Sequence, residues 1–347
     1  MTPEESIQYK TQAISLLRDR LTEDIRARLA DVDARLLEYF EHLAAHSSAD
    51  PEDEDDVHNL YELLGGIRFL RLFTTYDFDT AKVQKVIRAR EGTWRKDAQG
   101  YWRHVEGGLR CPGTTGPQVY RWQPFQVFIL AATFGPHGWV DTGLSAEDHP
   151  ELLPTERVVE GRVYDYRRVC TDFTFFASRK NDKTGLSAYI QAWFFFFEDY
   201  NSEAYCCSNS RDQSMLLYRR TKQLLAELDP TGDRIRMTET VCDWREPMKR
   251  FRDSKLYPLS AGGKAKDGMF AQLCCPDEYG SAAYTNGKSD MLNLVSVIES
   301  SMGPRREPLT FTTSTAGNIQ NGPFREKLTA IHDTLLAELD RNTETLT

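Results

Sequence analysis

The chain has 347 residues, 40% hydrophobic and 27% charged, which excludes a disordered chain and suits one large domain or two ordinary ones. Its 43 Lys and Arg against 52 Asp and Glu leave a net charge of −9, which argues against a dedicated basic DNA-coating protein but allows a local basic groove. The longest apolar runs, Val127 to Ala132 and Ala192 to Phe197, are too short to cross a bilayer, and no signal-peptide pattern opens the chain. Seven cysteines form no C-x-x-C pair, which argues against a zinc ribbon. The adjacent pairs Cys206-Cys207 and Cys274-Cys275 read as core thiols in a reducing compartment.

The N-terminal segment reads as helix. Thr2-Pro3-Glu4-Glu5 is a start signal, with a capping hydroxyl, a first-turn proline and acids near the positive end of the dipole. Apolar residues then recur at steps of three and four from Ile14 to Leu43, which predicts one long helix. The acids from Asp50 to Asp56 read as a solvated linker. A second helix is expected from Val57 to about Leu72, interrupted or kinked at Gly65-Gly66. Glu91 to Pro117 is rich in Gly, Trp, Arg and Pro and suggests loops or a short hairpin. Tyr120 to Gly135 reads as a buried helix, and a charged insert spans Asp141 to Glu160. After that, short apolar and β-branched runs (Arg167 to Phe176, Ala204 to Cys207, Ile235 to Thr240, Ala271 to Cys275, Leu309 to Thr313) alternate with helix-like stretches. The latter are Leu186 to Glu198, Arg211 to Glu227, Asp290 to Ser301 and Phe324 to Leu339. This alternation predicts an α/β fold, a parallel sheet with helices on its faces.

Three segments carry the chemistry. Ala177-Ser178-Arg179-Lys180-Asn181-Asp182-Lys183-Thr184 lies between a candidate strand and an apolar helix, where a phosphate-binding loop belongs. Lys183 would reach the β- and γ-phosphates and Thr184 would place its hydroxyl on Mg²⁺. Ala177 and Asp182 stand where the standard pattern has glycine, so an ordinary polar loop stays open. The second segment ends a strand in Asp277-Glu278. Asp277 would hold the Mg²⁺ shell and Glu278 would orient or deprotonate the attacking water. A plain turn between Pro276 and Gly280 is the alternative. The third, Leu309 to Asn318, ends a strand in hydroxyls, Thr313 among them, able to bond a γ-phosphate or its water. An ordinary Ser/Thr turn is its alternative.

In this order the segments resemble the ATPase domain of the tailed-phage large terminase, the DNA-packaging motor, from about Trp122 to Phe324. The most specific mark is the Arg-Lys-Asn-x-Lys-Thr string, Arg179 to Thr184. The resemblance implies a P-loop NTPase of the RecA/ASCE kind, a mostly parallel sheet flanked by helices, preceded by a helical region. It implies a helical arm and loops over 1–110, the ATPase domain over 111–330 and a helix end and tail over 331–347; a full large terminase continues into a nuclease, and with only Ile319 to Thr347 after the hydroxyl-rich motif none is expected here. The aromatic-Gln element of the family is matched by the segment from Trp122 to Gly135, with Gln126 the candidate adenine reader. ATP would be bound by Gln126 and by residues 178–184: Ser178, Arg179, Lys180, Asn181, Asp182, Lys183 and Thr184. Mg²⁺ would sit on Thr184 and Asp277. Glu278, Lys183, Thr313 and Arg179, as a cis arginine finger, would carry catalysis. Partners implied are double-stranded DNA, the portal protein, the small terminase subunit and further copies of the chain in a ring on the portal, with no membrane. The implied location is the cytoplasm of the bacterial host, transiently at the procapsid.

Two positions depart from the family pattern. Asp182 replaces a glycine, and its carboxylate is expected to approach the phosphates, so Asp182→Gly should improve ATP affinity if that charge merely repels. Pro276 just before the acids is also unusual, though a strand end tolerates it. Two other readings remain: another P-loop translocase such as a superfamily 2 helicase, and a decayed P-loop serving as an assembly module. The seven histidines form no ligand cluster. Phe194 to Phe197 reads as helix packed on the sheet. Arg250, Arg252, Lys255, Lys264 and Lys266 read as a solvated loop, or less readily as a contact to DNA phosphate.

Overall fold

The computed structural model describes residues 2–50, 59–96, 102–113, 116–198, 201–245, 253–261, 268–315 and 322–344. Helix α1 (Pro3–Arg20) starts with a reciprocal capping box between Thr2 and Glu5. The single long helix expected from Ile14 to Leu43 is instead the second half of α1 followed by α2 (Glu23–Val32) and α3 (Ala34–Ala45). Two side chains account for the breaks. The Thr22 hydroxyl accepts from the Ile25 N–H, and the Asp33 carboxylate, on extended backbone, accepts from the Arg35 N–H. Each starts a new helix with its own cap. Helix α4 (Leu60–Thr75) continues without interruption through Gly65-Gly66. Gly66 serves packing: a Cβ there would lie 2.9 Å from Leu43 Cδ2, so its absence lets α4 lie close to α3.

Strand β1 (Asp77–Phe78) and helix α5 (Thr80–Glu91) lead to two hairpins in the segment read as loops or a short hairpin. One pairs β2 (Thr93–Lys96) with β3 (Trp102–Glu106), the other β4 (Arg110–Gly113) with β5 (Gly116–Val119). Helix α6 (Pro124–Phe134) begins later than Tyr120 because Gln123 is its cap and Pro124 its first residue. Strands β6 (Pro136–Ser145), β7 (Glu156–Val159) and β8 (Arg162–Arg168) join β1 in an antiparallel sheet of order β1-β6-β8-β7. The charged insert from Asp141 to Glu160 holds the end of β6, a connection over 146–155 and all of β7.

The chain divides into two compact units, Met1–Ile87 with Trp122–Val169 and Leu328–Thr347, and Arg88–Arg121 with Cys170–Lys327. This differs from the contiguous division expected at 110 and 330. Residues 122–169 associate with the helical unit because α6 inserts Phe128 into its aromatic core. The Phe128 ring stacks on Tyr39 at 4.6 Å and meets Phe40 and Phe69 edge-on.

The second unit is built on a seven-stranded sheet. Its elements, after the hairpins, are β9 (Asp172–Phe176), α7 (Lys183–Phe196), β10 (Glu203–Ser208), α8 (Arg211–Leu228), β11 (Ile235–Met237), β12 (Cys242–Trp244), β13 (Lys255–Ser260), β14 (Leu273–Pro276), α9 (Asp290–Ser300) and β15 (Leu309–Ser314). Helix α10 (Pro323–Glu344) follows. The order is β11-β12-β13-β10-β14-β15-β9. From β13 to β9 all pairs are parallel, and β12 and β11 add an antiparallel edge. The α/β expectation thus becomes a mixed sheet. Cys206, Cys207, Cys274 and Cys275 are fully buried free thiols on neighbouring strands β10 and β14. Helix α7 is buried almost throughout, including Phe194 and Phe195. Lys255, read as part of a basic loop, opens β13 and pairs with Asp253 at 3.3 Å. Arg250, Arg252, Lys264 and Lys266 lie outside the described residues. No helix among the described residues is long and apolar enough to cross a membrane.

Candidate functional site

Parallel strands β9, β15, β14 and β10 deliver the loops after them to one edge of the sheet. After β9 the chain turns through residues 177–182 into α7. Two non-glycine residues there are left-handed, Lys180 at φ 73° and Asp182 at φ 50°. Asn181 Nδ2 donates to Ser178 Oγ at 2.8 Å. Lys183 is buried at the first position of α7, and its Nζ donates to the carbonyls of Ala177 and Ser178, both at 2.9 Å. The lysine thereby closes the loop on itself. Ser178, Arg179 and Lys180 are exposed.

Asp277, just past β14, is the hub. Thr313 Oγ1 donates to its Oδ1 at 2.7 Å, and Thr184 Oγ1 donates to its Oδ2 at 3.3 Å. Burial pushes the Asp277 carboxyl above its ordinary range; Glu278 adds to the rise, and the bonds from Thr313 and Thr184 oppose it. Glu278 is left-handed, at φ 50°. Its Oε2 accepts from Thr315 Oγ1 at 3.0 Å. Gly280 donates its N–H to Ser314 Oγ at 2.8 Å, and a Cβ on it would come within 2.6 Å of that oxygen. This close approach joins the two strand ends.

The Thr184 hydroxyl and Asp277 carboxylate are hard oxygen donors 3.3 Å apart. One carboxylate and one hydroxyl suit Mg²⁺, which keeps several waters and takes its other oxygens from phosphate. Among the described residues no group of three or more His, Cys, Asp or Glu could hold a metal.

The family described as "Terminase large subunit, ATPase domain" matches residues 154–333, more than half of the chain. The chain belongs to that family. No curated protein matches this terminase chain. Among solved structures it is similar to the HK97 bacteriophage large terminase, at 16% identity and a TM-score of 0.48, over 73% of this chain and 42% of that one. It therefore spans less than half of that terminase. It is also similar to the Thermus phage P74-26 large terminase ATPase domain, at 12% identity and a TM-score of 0.32, over 42% of this chain and 58% of that one.

Within this terminase chain the structure brings Lys183, Thr184, Asp277 and Thr313 to one edge of the sheet, with Glu278 on the adjoining turn. Asp182 is placed otherwise than expected. Its Oδ2 accepts from the Tyr120 hydroxyl at 2.9 Å and lies 3.9 Å from Arg90 Nη2. Thr315, Tyr120 and Arg90 were not singled out from sequence. Thr315 stands in the same hydroxyl run as Thr313 and was within reach of that reading. Tyr120 and Arg90 lie far upstream of the loop, and no local signal marks them.

Gln126 belongs to the helical unit, near the start of α6. It is buried, and its Oε1 accepts from the Gln123 N–H at 3.0 Å. An adenine-reading role predicts that Gln126→Ala weakens ATP more than GTP in competition binding. A capping role alone predicts equal loss for both, with about 1 kcal/mol of stability lost in thermal unfolding.

Proposed function

We propose that this chain is an ATP-hydrolysing motor domain that drives double-stranded DNA into a procapsid. The observation that carries this reading is the Asp277 hub, which ties the first turn of α7 through Thr184 to the end of β15 through Thr313. In the P-loop reading, residues 178–184 wrap the phosphates with backbone N–H groups and the start of α7. Lys183 turns from the loop carbonyls toward phosphate oxygens. Thr184 and Asp277 hold Mg²⁺, which when bound neutralises phosphate charge. Glu278 positions and deprotonates the attacking water, and Arg179, exposed on the loop, meets the charge developing on the transferred group. The RecA/ASCE reading is supported by β15 lying between β9, which leads to the lysine, and β14, which leads to the acids.

The nucleotide site falls in the unit Arg88–Arg121 with Cys170–Lys327, and we assign hydrolysis to it. DNA, portal protein, small terminase subunit and a ring of further copies are its proposed partners. Asp182 was the reason to consider a decayed assembly module. Its carboxylate is already bonded to Tyr120 beside Arg90, which leaves that reading without its main support.

The test is ATP turnover by the purified chain with Mg²⁺, with and without duplex DNA. Turnover that requires Mg²⁺ and rises with DNA is the expected result. No nucleotide binding with both present would end the motor reading. On a chain of net charge −9, DNA contacts must come from a localised basic face. DNA affinity should therefore be weak and fall steeply with salt, as counterion release requires. Tight binding that ignores salt would contradict this.

A further inference from the structure

The residue that breaks the family's loop pattern is held by partners from outside the loop. Asp182 occupies the left-handed region that favours glycine, although Asp tolerates it better than most residues. It caps α7 without bonding any helix N–H through its side chain. The carboxylate instead accepts from the Tyr120 hydroxyl, just past β5. The guanidinium of Arg90, from the last turn of α5, lies 3.7 Å from the centre of the Tyr120 ring. Arg90 is 2% exposed, and its Nη1 donates to the Gly185 carbonyl in the first turn of α7 at 2.8 Å. A buried guanidinium needs an anionic neighbour, and Asp182 is beside it.

Gly185 completes the arrangement. A Cβ at this position would lie 2.0 Å from Asp182 Oδ1 and 2.5 Å from the rest of that carboxylate. The glycine absent from position 182 is thus compensated by one at 185, over which the carboxylate is seated. Arg90 and Tyr120 lie outside residues 154–333, the span that the family match covers.

We propose that Asp182, Tyr120 and Arg90 form a latch. It holds the 177–184 loop in shape to receive phosphate, and it spends the loop's negative charge on Arg90 instead of turning it to the nucleotide. Asp182 is a positioning residue in this view, and the proposal rests on the nucleotide reading above. It reverses the expectation that Asp182→Gly improves affinity.

The decisive experiment is a suppression test on the full chain, reading the Kd of a fluorescent ATP analogue. Gly185→Ala should weaken binding about tenfold or more, the scale of losing a hydrogen bond to a charged group, by pushing the carboxylate from its seat. Adding Asp182→Gly should recover part of that loss, because the clash is then gone. Tyr120→Phe should weaken binding on its own and add nothing in an Asp182→Gly background. Gly185→Ala that is equally damaging with and without Asp182 would overturn the latch, as would tighter binding by Asp182→Gly alone. Amide hydrogen exchange over residues 178–186, measured without nucleotide, separates this from failure of the ATP reading. Faster exchange in both Tyr120→Phe and Asp182→Gly supports the latch even if no nucleotide binds. Unchanged exchange in both overturns it even if ATP binds well.

Discussion

Glu278→Gln should lose ATP hydrolysis by at least about 10²-fold, the scale of removing a general base, while still binding ATP within a few-fold of the wild type. The geometry allows so clean a separation. Glu278 sits beside Asp277 on the turn after β14, while the bonds of Lys183 go to the loop carbonyls and that of Thr184 goes to Asp277. Its carboxylate accepts from the hydroxyl of Thr315, and a glutamine oxygen can accept the same bond. The turn should therefore survive the change, including the left-handed Glu278 backbone that costs roughly 1–3 kcal/mol to maintain. What is lost is the basicity needed as water attacks. An interaction made only in the transition state lowers turnover and leaves binding nearly intact. Single-turnover hydrolysis and equilibrium ATP binding on the same preparation check this. Wild-type turnover by the variant would reduce the Thr315-held carboxylate to a structural turn.

Much of this site was legible in short stretches of sequence. Each of the three segments joins a strand end to a polar turn, and such local patterns survive without knowledge of tertiary contacts. What escaped was whatever depends on distant partners or competing local signals. Tyr120 and Arg90 meet Asp182 only once the hairpins and α5 are in place. The apolar stripe of the first helices continues across Thr22 and Asp33, so periodicity hides breaks that the caps impose. Strand β13 contains Pro258, whose missing N–H argues against a strand, yet it pairs with Cys206 on β10. Strands β6 to β8 are charged because an antiparallel sheet can leave one face in water, and Trp139 and Val158 are exposed on them. The run from Arg167 to Phe176 reads as one strand but splits between two sheets, since composition alone does not say which neighbour each half will pair with.

Lys183→Ala should fail one step earlier than Glu278→Gln, at binding. The Nζ of Lys183 holds two loop carbonyls at 2.9 Å. In the P-loop reading it exchanges these bonds for charge-assisted bonds to phosphate oxygens, each worth about 1.5–3 kcal/mol net. Because two carbonyl bonds are given up in the exchange, only the excess counts toward affinity, and losing an excess of about 1.5 kcal/mol weakens ATP about tenfold. The alanine also leaves the Ala177 and Ser178 carbonyls without their lysine donor in the free protein. That should cost about 1–3 kcal/mol of stability if water does not replace it. The two losses are separable, because a calorimetric scan without nucleotide reads only the second. Lys183→Arg keeps the charge, but the buried first position of α7 suits a slim ammonium better than a planar guanidinium, so it should rescue stability poorly and ATP binding only in part. Wild-type ATP affinity in Lys183→Ala would remove the lysine from phosphate binding and leave it a loop-closing residue. A loss of affinity in Lys183→Ala beside retained affinity in Glu278→Gln would assign the two residues to consecutive steps, binding and then hydrolysis.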